Sequence, residues 1–209
     1  VEELIAGPLL EATLGEDSSF HGAGREDVDA RMLGSGRPFV IEIKKPRKRR
    51  LDLSEIERVI NERAHGKIEV SGLKYVDRRA VLKIKDMESA RKIYRVMVEF
   101  GRDVSDEELE KLEKALSGIK VLQRTPMRVL HRRADLTREK HIYETKIKRI
   151  SANKAELIIK CQGGLYVKEL VTGDSGRTRP SVSQILEVES RPLELDVLGV
   201  LEEEEDGEV

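Results

Sequence analysis

The sequence predicts an α+β chain built on a large mixed or antiparallel sheet, and three observations lead there. Runs with alternating apolar and polar residues outnumber helical runs, several follow one another closely enough for hairpins, and the helical runs are spread between the strands. Neither a G-x-G-x-x-G turn nor a Walker loop is present, which argues against dinucleotide binding and nucleotide hydrolysis. No tandem repeat stands out.

Each element follows from local pattern. "VEELIAGPLLEATL" reads as a helix and "RPFVIEI" as a strand that runs into the basic loop "KKPRKRR". "LSEIERVINERAHG" is predicted to be a helix, with Ser54 and Glu57 at capping-box spacing and Gly66 at its end. "GKIEVSGLKYV" and "AVLKIK" are expected to be a pair of strands, and "KIYRVMVEF" another. A second capping box, Ser105 with Glu108, opens "SDEELEKLEKALSG", which Gly118 terminates. "IKVLQR", "MRVLHRRA", "HIYETKIKRI" and "AELIIKC" supply four further strand candidates, "VKELVTG" a helix and "LELDVLGVL" the last strand. Residues 202–209 read as a disordered acidic tail.

With 209 residues, 38% of them apolar, the chain is long enough for one compact domain with a core of reasonable size. The charged share, also 38%, with one cysteine and no tryptophan, resembles that of proteins from hot environments. A lone Cys161 excludes an intramolecular disulfide framework and a multi-cysteine zinc site, so a reducing, cytoplasmic compartment is expected. No apolar run is long enough for a membrane span and no secretory leader is visible. The first residue is Val, already inside a helical pattern, so the chain is expected to be cut from something longer.

The 39 basic and 40 acidic residues nearly cancel, but they are segregated. Residues 44–50 are almost all basic, residues 120–150 carry an excess of Lys and Arg, and the end of the chain is acidic. One such basic run is as readily a solvated face. Two supply the sequence-independent attraction to phosphate that RNA and DNA binders need.

Four segments carry candidate chemistry. In "FHGAGREDVDARMLG", Glu26, Asp27 and Asp29 stand between Arg25 and Arg31. Three acids so close suit a Mg²⁺ site of the nuclease kind, since hard cations prefer carboxylate oxygens. The flanking guanidiniums compete with a metal, yet they orient and favour an ionised carboxylate acting as nucleophile or base. A plain surface loop is the third reading. In "IIKCQGGLYVKELVTGDSGRT" an apolar strand meets a Gly-Gly turn before Tyr166, Val167 and Lys168, which suits either close approach of a ligand or an ordinary strand-to-helix turn. "ARKIYRVMVEF" sets Tyr94 among cations, a base-stacking platform or an amphipathic tyrosine. "QRTPMRVLHRRADLTR" is a basic loop and strand turned by Pro126.

Together and in this order, the four segments resemble the pseudouridine synthases. In that superfamily an Arg-x-Asp motif carries the catalytic aspartate, matched by Arg25-Glu26-Asp27, and a Lys-x-Tyr motif supplies an aromatic, matched by Lys92-Ile93-Tyr94. The third motif, Cys-x-x-Gly-Thr-Tyr-Ile-Arg, is matched from Cys161 to Lys168, with Leu165 in place of Thr and Lys168 in place of Arg. "FHGAGREDVDARMLGSGRPFVIEI", "TPMRVLHRRAD" and "GDSGRTRPSVSQIL" extend the resemblance, over nearly the whole chain, to the archaeal and eukaryotic tRNA pseudouridine synthases of the Pus ten family.

That resemblance implies a pseudouridine synthase fold over residues 1–201 and an upstream RNA-binding domain absent from this chain. It implies an isomerase acting on tRNA at one or both of uridines 54 and 55, without metal or organic cofactor; a monomer is expected. Asp27 would be the catalytic carboxylate. Arg25, Tyr94, Tyr166, Val167 and Lys168 would bind the substrate, with Lys168 paired to Asp27, and Leu186 and Leu195 would lie by the base. Lys for Arg gives up bidentate geometry at that pair. The basic loops, through Lys44, Lys45, Arg47, Lys48 and Arg49 and through Arg124, Arg128, Arg132 and Arg133, are expected to grasp the RNA backbone on charge alone. A non-catalytic RNA-binding domain and a metal-dependent nuclease using Glu26, Asp27 and Asp29 are the alternatives.

Overall fold

The structure is a computed structural model that describes residues 1–201 other than Arg25 and Val28. The expected acidic tail and the expected substrate contact Arg25 lie outside the described residues. In chain order the elements are α1 (Glu2–Thr13), β1 (Asp17–Gly22), β2 (Arg31–Met32), β3 (Phe39–Lys44), α2 (Leu53–Ala64) and α3 (Arg78–Asp86). There follow β4 (Arg91–Phe100), α4 (Asp106–Leu116), β5 (Ile119–Arg124), β6 (Thr137–Ser151), β7 (Lys154–Cys161), α5 (Val167–Thr172), β8 (Thr178–Arg179), α6 (Val182–Leu186) and β9 (Ser190–Leu201). They form two compact units, Val1–Ala23 with Pro38–Asp86, and Gly24–Arg37 with Met87–Val209.

The first unit pairs β1 with β3 antiparallel and packs α1 and α2 around Ile5, Leu9, Ile56, Ile60 and Val70. Phe20 stacks on Phe39 across the two strands at 5.4 Å between ring centroids. Two expectations need correction here. Residues 66–77 form no strand: their alternation is real, with Val70 buried and Ile68 and Leu73 packed on the core, but the partner is helix α2 rather than another strand. The Asn61 side chain brackets Val70, taking its N–H and donating to its carbonyl at 2.8 Å each, and Glu57 accepts from the Leu73 N–H at 3.1 Å. Side chains thus satisfy backbone groups that a ladder would otherwise serve. The second correction concerns "AVLKIK", which lies in helix α3. Val81 and Ile84, three apart, are its buried residues, and Asp77 caps the first turn by accepting from the Arg79 N–H at 2.9 Å.

Helix α2 forms where expected but is capped differently. Asp52, one residue before the helix, accepts from the N–H groups of Ser54 and Glu55 at 3.0 and 3.2 Å, so Ser54 is not the cap. His65, in the left-handed region, closes the helix ahead of Gly66. The basic loop after β3 is anchored at its base by ion pairs of Lys44 with Asp17 and Lys45 with Glu16, at 2.6 Å each, while Arg47, Lys48, Arg49 and Arg50 are exposed.

The second unit holds a seven-stranded sheet of order β2-β9-β4-β7-β6-β5-β8, antiparallel throughout except for the short parallel pair β2–β9. This is the large, mixed, mainly antiparallel sheet expected from the sequence. Alternate residues of β4 and β7 point into one core, among them Val96, Val98, Leu157 and Ile159, against α4, α5 and α6. Helix α4 carries the expected capping box, Ser105 and Glu108 bonding each other's N–H groups at 3.2 and 2.9 Å. Its Leu109, Leu112 and Leu116 fall on one face, and full burial of each such side chain contributes about 2 kcal/mol. The expected strand "MRVLHRRA" is instead a short 3₁₀ turn, Met127–Val129, after Pro126, with only Val129 buried in it; the segment then continues as an exposed loop.

Candidate active site

The three acids of the 24–30 segment are not equivalent, because each faces a different cation. Glu26 turns inward and pairs with Lys92, whose side chain is only 3% exposed, and its second oxygen accepts the Tyr94 hydroxyl at 3.0 Å. Lys92 and Tyr94 are alternate residues of β4, so both lie on the face that continues as Val96, Val98 and Phe100. A lysine in that row needs a counter-ion, and Glu26 is it. Burial pushes the Tyr94 phenol well above its ordinary range, with the Glu26 carboxylate adding to the effect, so Tyr94 acts as a hydrogen-bond donor and not as a phenolate.

Asp27 is gripped by Arg128, whose two terminal nitrogens meet its two oxygens at 2.7 and 2.8 Å. The same guanidinium bonds the buried Glu169 of α5 at 2.7 and 3.2 Å. Those Glu169 contacts hold the Arg128 pKa above its already high value, so the cation is permanent. Lys168 stands 3.8 Å from Asp27 but meets both oxygens of Asp29 at 2.6 Å, and that bond lowers the Asp29 pKa. The family resemblance implies that Lys168 pairs with Asp27. In the structure Arg128, expected only to bind RNA, is the closer partner.

The backbone around these groups is held on several sides. The Ala30 N–H donates to the Asp27 carbonyl at 3.1 Å, and the Arg31 guanidinium bonds the buried Asp196 of β9 at 2.5 and 3.1 Å. Burial works to raise the Asp196 pKa, but Arg31 and Arg95 together overcome it and the net shift is downward. Gly34, at φ 67°, crosses β9 so closely that a Cβ would lie 2.2 Å from the Leu198 carbonyl oxygen. Gly24, at φ 79°, has the Lys92 ammonium 2.7 Å from where a Cβ would sit. On the other wall the fully buried Gln123 side chain reads the Tyr166 backbone like a neighbouring strand, donating to its carbonyl at 2.9 Å and accepting its N–H at 2.8 Å.

A cleft of about 250 Å³ opens over this assembly, lined by Glu26, Asp27, Val129, Arg132, Arg133 and Tyr166. Of the expected site residues, Asp27, Tyr166, Arg132 and Arg133 face it and Lys168 stands beside Asp27. Tyr94, at 2% exposure, lies beneath Glu26, and Val167, Leu186 and Leu195 are buried in the core. Arg124 pairs with Asp135. Lys44, Lys45, Arg47, Lys48 and Arg49 belong to the first unit. Sequence reasoning missed Glu169, Gln123 and the Glu26–Lys92 pair. Of these, only Lys92 left a trace, as a charge in an otherwise apolar alternation. Among the described residues no three His, Cys, Asp or Glu side chains converge as a metal-binding set.

Residues 1–201 match the family model described as "Pus10, C-terminal". Proteins named tRNA pseudouridine synthase Pus10 are similar over almost the whole chain. The one from Methanothermobacter marburgensis is 56% identical over 201 residues, covering 96% of this chain and 49% of the relative, and the one from Methanocaldococcus jannaschii is 52% identical over 200 residues, covering 96% and 43%. The chain spans about half the length of the curated relatives it matches. Among solved structures, a chain of a Cbf5–Nop10–Gar1 complex is similar with a TM-score of 0.59 at 15% identity, covering 94% of this chain and 44% of that one. A chain of the archaeal box H/ACA sRNP Nop10–Cbf5 complex gives 0.53 at 13% identity, covering 98% and 45%.

Proposed function

The chain belongs to the Pus10 C-terminal family and has the pseudouridine synthase fold, and from that premise we propose that it is the catalytic part of a tRNA pseudouridine synthase. In this reading residues 1–201 form the catalytic domain, and uridines 54 and 55 of tRNA are the substrate. One observation carries the assignment of the reacting group. Of the three acids, Asp27 lines the cleft with its carboxylate between Arg128 and Lys168, whereas Glu26, at the same cleft, is committed to Lys92 and Tyr94, and the more exposed Asp29 is held by Lys168.

The reaction is an isomerisation. The bond from C1′ to N1 of a flipped-out uridine breaks, the ring turns, C1′ bonds C5, and the proton that leaves C5 is balanced by the one gained at N1. Asp27 supplies the carboxylate for this exchange. Arg128 occupies both of its oxygens, so a bound uridine must draw the guanidinium off at least one of them, and Lys168 keeps the carboxylate charge compensated while it does. Tyr166 is the aromatic at the cleft wall and offers the flipped ring a face to pack on. Tyr94 acts from below, fixing Glu26 and with it the segment that carries Asp27. Arg132 and Arg133 at the rim, together with the basic loop 44–50, engage phosphates. A reducing cytoplasm accords with the lone buried Cys161.

The test is incubation of unmodified tRNA with the chain in EDTA, followed by carbodiimide modification and primer extension. Pseudouridine formed in EDTA and lost in Asp27→Asn supports the synthase. RNA that is bound but unmodified favours a binding domain, and Mg²⁺-dependent cleavage favours a nuclease.

A further inference from the structure

A second cavity, of about 500 Å³, lies in the same unit, bounded by strand β5, the 3₁₀ turn and the 173–179 loop. Its floor is the outward face of the sheet. Leu122 of β5 is 51% exposed, and its cross-strand partner on β8 is Arg179, so the two side chains stand next to each other. Arg124, two residues along β5, shares that face opposite Thr137 of β6. Met127, 58% exposed, forms another apolar wall.

The remaining wall is built at a cost. Residues 173–176 all have positive φ, including the non-glycine Asp174 at 46° and Ser175 at 54°, a conformation costing about 1–2 kcal/mol per side-chain-bearing residue. It is locked to the rest of the cavity. Asp174 accepts the Met127 N–H at 3.0 Å, the Arg177 carbonyl accepts the Arg124 N–H at 2.8 Å, and the Arg177 guanidinium bonds the Thr125 carbonyl at 2.8 and 3.1 Å. Asp135 neutralises Arg124 and Arg177 together, and Glu139, beside Leu122 on β6, is taken by Lys120. Arg179 donates its Nε–H to the Gly176 carbonyl at 2.9 Å and has no carboxylate partner among the described residues. The cavity is therefore apolar at its base and cationic at its edge.

We propose that this cavity binds one unpaired nucleotide of the RNA substrate, its base on Leu122 and Met127 and its phosphate on Arg179. The assignment rests on the functional reading above. Size and chemistry agree with it: the volume is that of a small-ligand site, and an apolar face beside a guanidinium is what a base with its phosphate needs. Position agrees as well. Met127 lines this cavity, Val129 lines the cleft, and Arg128 between them grips Asp27. One short turn, Met127–Val129, thus contributes a wall to each of the two cavities and the guanidinium that holds Asp27.

The test is binding of unmodified tRNA, monitored by fluorescence anisotropy at two salt concentrations, with melting temperatures recorded for every variant. Arg179→Glu should weaken binding about tenfold and flatten the salt dependence, while Leu122→Ser combined with Met127→Ser should weaken it about fivefold with the salt slope unchanged. Lys114→Glu, an exposed reversal on α4, should stay within about twofold. The proposal is overturned if the Leu122/Met127 double variant, still folded, binds as tightly as the parent, or if Lys114→Glu is as damaging as Arg179→Glu. Pseudouridine formation by the parent is read on the same samples. A parent that binds tRNA but forms none refutes the functional reading and leaves the cavity to be judged on binding, whereas a parent that binds no tRNA overturns both.

Discussion

Arg128 joins Asp27 to Glu169: one guanidinium spans the two carboxylates with four hydrogen bonds of 2.7 to 3.2 Å, although Asp27 lies on the 24–30 segment and Glu169 on α5. Glu169 is buried and Arg128 is about one-third open to solvent, so the arginine is what makes the glutamate tolerable. Arg128→Ala is expected to cost about 2 kcal/mol, less than a fully buried pair because solvent reaches the guanidinium. Adding Glu169→Gln should restore most of that loss by removing the stranded charge. Urea unfolding of the four proteins in the cycle decides it, and a double variant no more stable than Arg128→Ala alone would show that Glu169 does not depend on Arg128.

The Glu26–Lys92 pair is more enclosed, and its disruption should be more costly. Glu26→Ala leaves an ammonium among core side chains and is expected to destabilise by about 3–5 kcal/mol, with Lys92→Met on that background recovering stability. Denaturant midpoints at constant m-value measure this. A loss below about 1 kcal/mol for Glu26→Ala would mean that water reaches Lys92.

Alkaline stability reports on Cys161. Burial pushes its thiol up to about 12 from an ordinary value near 9. The unfolded chain therefore releases this proton first as pH rises, so the folded state binds more protons across that window and unfolding becomes easier. The contribution is fully present below pH 9 and is lost as pH climbs toward 12. Cys161→Ala should accordingly have a shallower alkaline limb than the parent, measured as melting temperature against pH. In the native state at pH 8 the thiol should resist iodoacetamide and react only after unfolding, and rapid native alkylation would contradict its burial.

The basic loops make a charge-counting prediction. Replacing Arg47, Lys48 and Arg49 by Ser should lower tRNA affinity and reduce the slope of log K against log salt by roughly one for each phosphate no longer neutralised. Replacing Arg132 and Arg133 should do the same. An unchanged slope in a folded variant removes that loop from the RNA-binding surface.

Periodicity made much of the fold legible. β4 was readable because apolar and polar residues roughly alternate along "KIYRVMVEF", and α4 because its cap, its leucine spacing and its terminating glycine agree. The failures have physical causes. Six residues of "AVLKIK" fit either period, and only the Asp77 cap separates them. Residues 66–77 alternate because one side is buried, which says nothing about whether a strand or a helix lies alongside. β2 and β8, at two residues each, are too short for any period. The site was legible as a set of segments, since the acids of 26–29, the Lys-x-Tyr pair, the 166–168 stretch and the 124–138 segment do meet. Its wiring was not. Which cation reaches Asp27 depends on the turn that carries Arg128, and that turn is fixed by contacts distant in sequence, such as Met127 with Asp174.

Gly24 and Gly34 flank Asp27 at two close approaches to the sheet. Each is moored where a side chain would collide, one against Lys92 of β4 and the other against the Leu198 carbonyl of β9, two neighbouring strands of one sheet. The Asp27 carboxylate stands on the stretch of chain between these two contacts. Most surface loops absorb the gain or loss of a residue at small free-energy cost. A residue added or removed between these two close approaches is expected to shift the aspartate relative to Arg128 and Lys168.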